Sequence, residues 1–430
     1  MLESVLIKLL SLSKKVLIIS FTFPPQAGIG GRRWAKFFKH FKRSGVDAKV
    51  LTSEPFDHNS LWTNDIEAYT NDIETIPTGY PQILRQHPSS IVEKIGYRFS
   101  KAKLELQSNG NVYDHSIGWA KSLLPIIRRH IDNGYTTIIA TGGPFHYLSD
   151  LLILKDEYKS NIQLVADFRD PWANNKTSFG YAELSNARLL VECRKEKVVI
   201  ERFDKVVTVA SNMTSYFMGL SETKEHKFHT ILNGFDPEEN LGFIRNRADS
   251  EFRFVFVGTV YNKTLMHVQQ LSLALNNLKM KDVSFHFYGD MSNDVRETLS
   301  QAFGVCIHGS VSLVEAKQAV VDADACMLLL TDDITYSFST KFCEYISFQK
   351  PIWVISNDGK TSQYVLENEI GIHSTPETAS IHRFLEMFVQ DKSVLNSVGY
   401  QMFNSEQFSL EHLSKMYLNV LKTNQEPFSL

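Results

Sequence analysis

The chain has 430 residues, 43% hydrophobic and 22% charged, which is material for two domains with cores of their own and excludes wholesale disorder. Lys and Arg number 45 against 48 Asp and Glu, a net charge of −3, so a dedicated nucleic-acid binder, with its basic excess, is not expected. The four cysteines (Cys193, Cys306, Cys326 and Cys343) form no CxxC pair; neither a zinc site nor a disulfide framework is expected, and a reducing, cytoplasmic compartment is.

Residues 1–12 are apolar, but Glu3 comes early and Lys14 and Lys15 follow the run instead of preceding it, which is the wrong order for a signal peptide. No stretch reaches about 18 uninterrupted apolar residues, so no membrane span is expected. Residues 16–20 (Val-Leu-Ile-Ile-Ser) read as a strand buried on both faces. A Pro- and Gly-rich loop, 21–31, leads into a helix at 32–41. Its Trp34, Phe37, Phe38 and Phe41 recur at i, i+3, i+4 and i+7 and form one apolar stripe. Ser44-Gly45 ends that helix, and 48–51 is a second strand. Further strands fall at 136–140, 163–166, 205–209 and 229–232, with a short helix over 211–218. Residues 55–115 are polar and irregular, and read as an inserted loop-and-helix segment that shapes a substrate site. The polar run 236–250 reads as a linker. The pattern then restarts, with strands at 252–257, 283–288, 325–330 and 352–355 and helices at 266–278 and 340–347. An amphipathic helix at 410–421 closes the chain. This is an α/β protein with two Rossmann-like halves in tandem: a first domain at 1–236, a second at 237–405, and a terminal helix, 406–430, packing back on the first.

Three segments carry candidate chemistry. In Pro24-Pro25-Gln26-Ala27-Gly28-Ile29-Gly30-Gly31 the glycines let backbone amides approach a ligand where a helix begins, which suits a phosphate; a plain tight turn explains them equally. In Ser339-Thr340-Lys341-Phe342-Cys343-Glu344 a capped helix start, a Lys in its first turn and a Glu one turn on could together hold a diphosphate and a ribose; the alternative is a capping box with a surface Lys. In Asp167-Phe168-Arg169-Asp170-Pro171-Trp172, at a strand's carboxyl end, two carboxylates, a guanidinium and an indole suit a sugar, or else form a structural Asp–Arg pair. His146 also follows a strand, as a site residue or a helix cap. Asp322-Ala323-Asp324 has the look of a metal-binding pair, but it directly precedes an apolar strand and is read as a helix end. Between Arg32 and Lys49 seven basic residues face Asp47 alone. A basic amphipathic helix of this kind can rest on an anionic membrane, the other reading being a stripe packed on the sheet.

Together these segments resemble the GT-B glycosyltransferases of the large retaining family 4. The resemblance rests on Phe23-Pro24-Pro25 with Gly30-Gly31, the run 203–211, and Ile231-Leu232-Asn233-Gly234-Phe235-Asp236. It continues in Phe256-Val257-Gly258, Gly309-Ser310-Val311, and Thr340-Lys341 with Glu344-Tyr345. The 167–172 segment is similar to a subgroup from bacterial cell-surface polysaccharide pathways. Two positions depart: Tyr336 stands where the family has the first glutamate of E-x7-E, and Thr259 where it has an arginine. The resemblance implies two Rossmann-like domains with parallel sheets facing a central cleft. It implies hexosyl transfer with retention, without a metal or a cofactor beyond the nucleotide-diphosphate sugar. The donor would be held by Glu344 at the ribose and by Lys341, Lys263 and the Gly30 and Gly31 amides at the diphosphate, with Gly258 and Thr340 lining the site. Arg169, Asp170 and His146 would serve a saccharide or lipid-linked acceptor, in polysaccharide or glycolipid synthesis on the inner face of the cell membrane. Two other classes fit the same pattern: a sugar-nucleotide epimerase of this fold and a non-catalytic GT-B partner subunit.

Overall fold

The computed structural model describes residues 15–422 except 57, 86–87, 176–177, 179, 223–224, 249, 333–337 and 396–397. Tyr336 and the apolar segment 1–12 lie outside the described residues. The chain forms two compact units, one of residues up to Ile231 with those from Ser414 onward, the other Leu232–Leu413. Seven helices position or flank the candidate site residues: α1 (Arg32–Arg43), α2 (Ile91–Gln107), α3 (His146–Asp150), α4 (Asn186–Arg202), α5 (Leu265–Leu278), α6 (Thr340–Ser347) and α7 (Leu410–Lys422).

The first unit holds a parallel sheet of seven strands: β1 (Lys15–Ser20), β2 (Asp47–Ser53), β3 (Ile73–Ile76), β4 (Thr137–Thr141), β5 (Gln163–Phe168), β6 (Lys205–Thr208) and β7 (Phe228–Thr230). Their order is β3-β2-β1-β4-β5-β6-β7. β1 lies between β2 and β4, Val16 opposite both Ala48 and Thr137, and Val16 to Ile19 are fully buried. Their continuous apolar run is what a parallel strand covered on both faces requires. The aromatic stripe of α1 is buried as well. Tyr417 of α7 packs on Trp34, Phe37 and Phe41 at 5.2–6.1 Å between ring centres, each such large side chain contributing about 1.5–3 kcal/mol. The Trp34 indole donates to Asp167 Oδ1 at 3.1 Å.

The second unit holds a parallel sheet of six: β8 (Phe252–Val257), β9 (Val283–Tyr288), β10 (Val305–Gly309), β11 (Ala325–Leu329), β12 (Ile352–Ile355) and β13 (Gly371–Ser374), ordered β10-β9-β8-β11-β12-β13. Alternate residues of β8 feed opposite cores. Phe254 and Phe256 pack with Phe285, Trp353 and Phe384 on one face, and Val255 packs with Leu328, Val354, Phe342 and Tyr345 on the other.

Three expectations need correction. Residues 55–115 are not merely irregular: they contribute the edge strand β3 and the 17-residue α2, both obscured by interspersed charges. The run 236–250 is not a free linker. Lys317 holds Glu239 at 3.0 Å, Asn240 donates to Ser347 at 2.8 Å, and Arg245 and Arg247 both reach Asp324, so its charges fasten it to the second unit. Asp324 also accepts the Arg253 amide, and Asp322 accepts the Asn246 amide and ends a helix. Among the described residues no cluster suits a metal ion. Finally, the basic residues of α1 do not form a membrane surface. Arg32, Arg33, Lys36 and Lys39 are no more than 5% exposed. Lys36 and Lys39 both bind Asp65, at 2.8 and 3.1 Å, and Lys42 binds Asp72 at 2.7 Å. The cations are neutralised inside the unit by acids from the following segment. Among the described residues no helix is long and apolar enough to cross a membrane.

Candidate functional site

In the first unit strand order reverses between β1 and β4, and in open α/β sheets ligands bind outside the carboxyl ends of strands at such a point. The loops after β1, β4 and β5 all emerge there. β4 and β5 run in register, Thr141 opposite Asp167. Asp167 is fully buried, bound by the Trp34 indole and 3.5 Å from Arg33. It is therefore a structural carboxylate, and its arginine comes from α1, not from its own loop.

Arg169 is different. Its guanidinium lies against Gly30, Nη2 3.3 Å from where a Cβ would stand. Its Nε is buried with no hydrogen-bond partner among the described residues. A side chain at Gly30 would press lightly on the end of Arg169. Gly31 has a local requirement, since its Cβ would come within 3.2 Å of the Phe23 backbone. Asp170 follows, half-buried.

The loop after Arg169 is held by two glutamates of α4, one turn apart on one face. Glu192 accepts the Trp172 indole N–H at 2.8 Å and the Asn111 amide at 2.9 Å. Glu196 accepts the Trp172 and Ala173 amides at 3.2 and 3.1 Å. Burial pushes Glu196 up to about 7, with its hydrogen bonds opposing. Burial also acts on Glu192, but Lys195 and the donated hydrogen bonds outweigh it and hold this carboxyl below its ordinary value.

His146 opens α3. Its amide and that of Phe145 donate to Asp114 Oδ2 at 3.0 and 2.7 Å, so a carboxylate from far away in sequence caps this short helix. Lys195 Nζ sits 3.1 Å from His146 Nδ1 and 3.0 Å from Glu192. A lysine ammonium only donates, so Nδ1 accepts and the ring proton is assigned to Nε2, which lies 3.9 Å from Asp150. Burial pushes the Asp150 carboxyl up, against the pull of the Lys195 ammonium. His146 and the Asp170 loop are therefore linked through Lys195, Glu192 and Trp172. Asp114, Glu192, Lys195 and Glu196 were not picked out from sequence. The i, i+3, i+4 spacing of the last three was the available signal, and Asp114 gave none.

In the second unit β8 is followed by Gly258, whose φ of 113° suits glycine alone. A side chain there would collide with Lys341, whose Nζ would be 3.0 Å from the added Cβ. Lys341 comes from the first turn of α6. It donates to the Thr259 carbonyl at 3.3 Å and lies 4.3 Å from the centre of the Phe256 ring. Burial pushes its ammonium down to about 8, with Glu344 opposing. Ser339 caps α6 by accepting the Phe342 amide at 3.2 Å. The first-turn amides of Thr340 and Lys341 have no intrahelical partner by construction, which makes this end attractive to an anion. Glu344 lies one turn further, half-buried. Lys263 stands exposed in the turn after Gly258, its Nζ 5.8 Å from the Tyr261 ring. The structure thus joins Gly258, Thr259, Thr340 and Lys341 around one point and sets Lys263 on the same loop.

No protein-family model and no curated protein matches the chain. Solved structures do. HepE of Anabaena in complex with UDP is similar over 95% of this chain and 99% of its own, at 14% identity and a TM-score of 0.65. A glycosyltransferase of Rickettsia africae matches over 95% and 100%, at 13% identity and a TM-score of 0.58. A UDP-N-acetylglucosamine 2-epimerase matches over 97% and 99%, at 10% identity and a TM-score of 0.55. Likeness at this identity concerns the fold: a GT-B arrangement of two Rossmann-like domains with parallel sheets.

Proposed function

We propose that the chain is a glycosyltransferase that moves a sugar from a nucleoside-diphosphate sugar to an acceptor hydroxyl. The observation that carries this reading is Lys341. Its ammonium is pushed into a desolvated place against Gly258 and Phe256, at the start of α6 and one turn from Glu344. A cation held there at a cost is offset when an anion arrives. A diphosphate suits it, lying on the Thr340 and Lys341 amides with Lys341 and Lys263 for charge, while Glu344 accepts the ribose hydroxyls. As the glycosidic bond breaks, negative charge grows on the leaving diphosphate. Lys341 and the helix amides are already oriented to stabilise it, without reorganisation.

The acceptor falls to the first unit. Arg169, whose buried Nε has no partner among the described residues, binds and orients it; Asp170 receives the hydroxyl proton, and His146, with its ring proton on Nε2, positions the hydroxyl. Charge supplied by lysine makes a metal-independent reaction the economical reading. Transfer with retention of anomeric configuration, a saccharide or lipid-linked acceptor, and a place in cell-surface polysaccharide or glycolipid synthesis complete the proposal. The complexes of HepE with UDP, with UDP and glucose, and with UDP-glucose support a UDP-sugar donor.

A second reading, a sugar-nucleotide epimerase, is favoured by the fold likeness to the 2-epimerase. The test is to incubate the protein with UDP-glucose, UDP-galactose and UDP-N-acetylglucosamine, with and without lipid-linked saccharide acceptors, and follow products by NMR. UDP released only with acceptor, together with a new glycoside, supports the transferase. An epimerised sugar nucleotide without acceptor supports the epimerase, and binding without turnover a non-catalytic partner subunit.

A further inference from the structure

The helix α2 presents an apolar face to solvent. Ile91, Val92, Ile95, Phe99 and Leu106 are 64–88% exposed. At 3.6 residues per turn all five fall in one continuous stripe about 100° wide, the width of a stripe that ordinarily meets a core. Here the core side is the opposite one. Leu104 is buried with Tyr80 and Val112, and Lys101 donates to the Tyr113 hydroxyl at 2.5 Å. The helix is fixed at its start by a full capping box, Ser90 with Glu93, so the stripe belongs to a formed helix about 25 Å long.

Charge indicates what covers it. Exposed Lys94 and Arg98, with exposed Glu105 between them, border the stripe on one side and exposed Lys103 on the other, three cations to one acid. Glu93 is turned back onto the Ser89 and Ser90 amides. The segment 91–107 carries four basic residues and two acids, opposite in sign to the chain's net −3. A second copy laid on this face would bring cationic borders together. An anionic lipid surface instead accepts the apolar stripe between the acyl chains and the lysines at the headgroups.

We propose that α2 is an interfacial helix that docks the protein on an anionic bilayer, the stripe inserted parallel to the surface and Lys94, Arg98 and Lys103 at phosphate level. The proposal is independent of the reaction, because vesicle binding is read without substrate. It transfers the membrane contact from α1, whose cations are buried, to a helix whose apolar face is open.

The experiment is co-sedimentation of the full chain with vesicles of equal parts phosphatidylglycerol and phosphatidylcholine, and with phosphatidylcholine alone. The wild type partitions at least about tenfold better onto the anionic vesicles, and less as salt rises. Ile95→Glu with Phe99→Glu loses about tenfold or more of that partitioning at unchanged melting temperature, since both side chains are exposed. Lys94→Glu with Arg98→Glu loses the preference for anionic lipid. Equal partitioning of the wild type onto both vesicles, or of the wild type and the Ile95→Glu, Phe99→Glu variant onto anionic ones, overturns the proposal. So does a wild type that stays off vesicles but forms a dimer dispersed by the same variant.

Discussion

Lys341→Met separates a binding lysine from a structural one, because the two roles predict effects of different sign. The ammonium is pushed from about 10.5 to about 8, which at about 1.36 kcal/mol per unit is near 3 kcal/mol of strain on the charged form. The side chain is partly open to solvent, so about 1–2 kcal/mol is the expected size. Methionine keeps the stem over Phe256 and removes the charge, so the ligand-free variant should be more stable by that amount at pH 7 in urea titrations. Its affinity for UDP should fall at least tenfold in calorimetry, one lost charged hydrogen bond being worth about 1.5–3 kcal/mol. The pH dependence follows. Below pH 8 the lysine is protonated folded and unfolded, and the penalty is complete. From about 8 to 10.5 the folded state releases its proton first, so wild-type stability gains a rising term that the variant lacks. UDP affinity of the wild type should fall over the same range. A variant that is less stable and binds UDP as well as the wild type would refute the reasoning.

Gly258→Ala forces a side chain into Lys341 and into a φ of 113°; it should destabilise by about 1–3 kcal/mol and weaken UDP binding, checked by melting and calorimetry on the same sample. Asp170→Asn should abolish sugar transfer and leave UDP affinity within twofold, whereas joint loss of affinity and folding would make the residue structural. Glu196 is pushed up to about 7, so between about 4.5 and 7 the folded state holds a proton that the unfolded state has released, and stability falls as pH rises. Glu196→Gln should flatten that slope in urea titrations run from pH 5 to 8; an unchanged slope would place its origin elsewhere.

The two sheets were legible because their central strands are uninterrupted apolar runs, as in Val16 to Ile19 and Phe254 to Phe256. Two edge strands were not: β3 is Ile-Glu-Thr-Ile and β13 is Gly-Ile-His-Ser, too short and polar to carry a periodic signal. Helix α4 escaped notice because its buried face includes Glu192 and Glu196, which inverts the usual pattern of apolar inside and charged outside. For α1 the aromatic stripe was read correctly and the lysines were not. Their partners Asp65 and Asp72 lie in a segment without sequence periodicity, and such pairing is a tertiary fact. At the candidate site, Gly258 and Lys341 were each visible alone. Their contact spans 83 positions of sequence and exists because the turn after β8 meets the start of α6.

The central claim is that a nucleoside diphosphate is held in the second unit around Gly258, Lys341 and Glu344. Hydrogen exchange of the full chain with and without saturating UDP, read by mass spectrometry, tests it most directly. Protection should concentrate in peptides covering 258–264 and 339–345, with the Lys341→Met variant losing it at equal UDP. No change in those peptides, or protection confined to other loops of the second unit, would contradict the account.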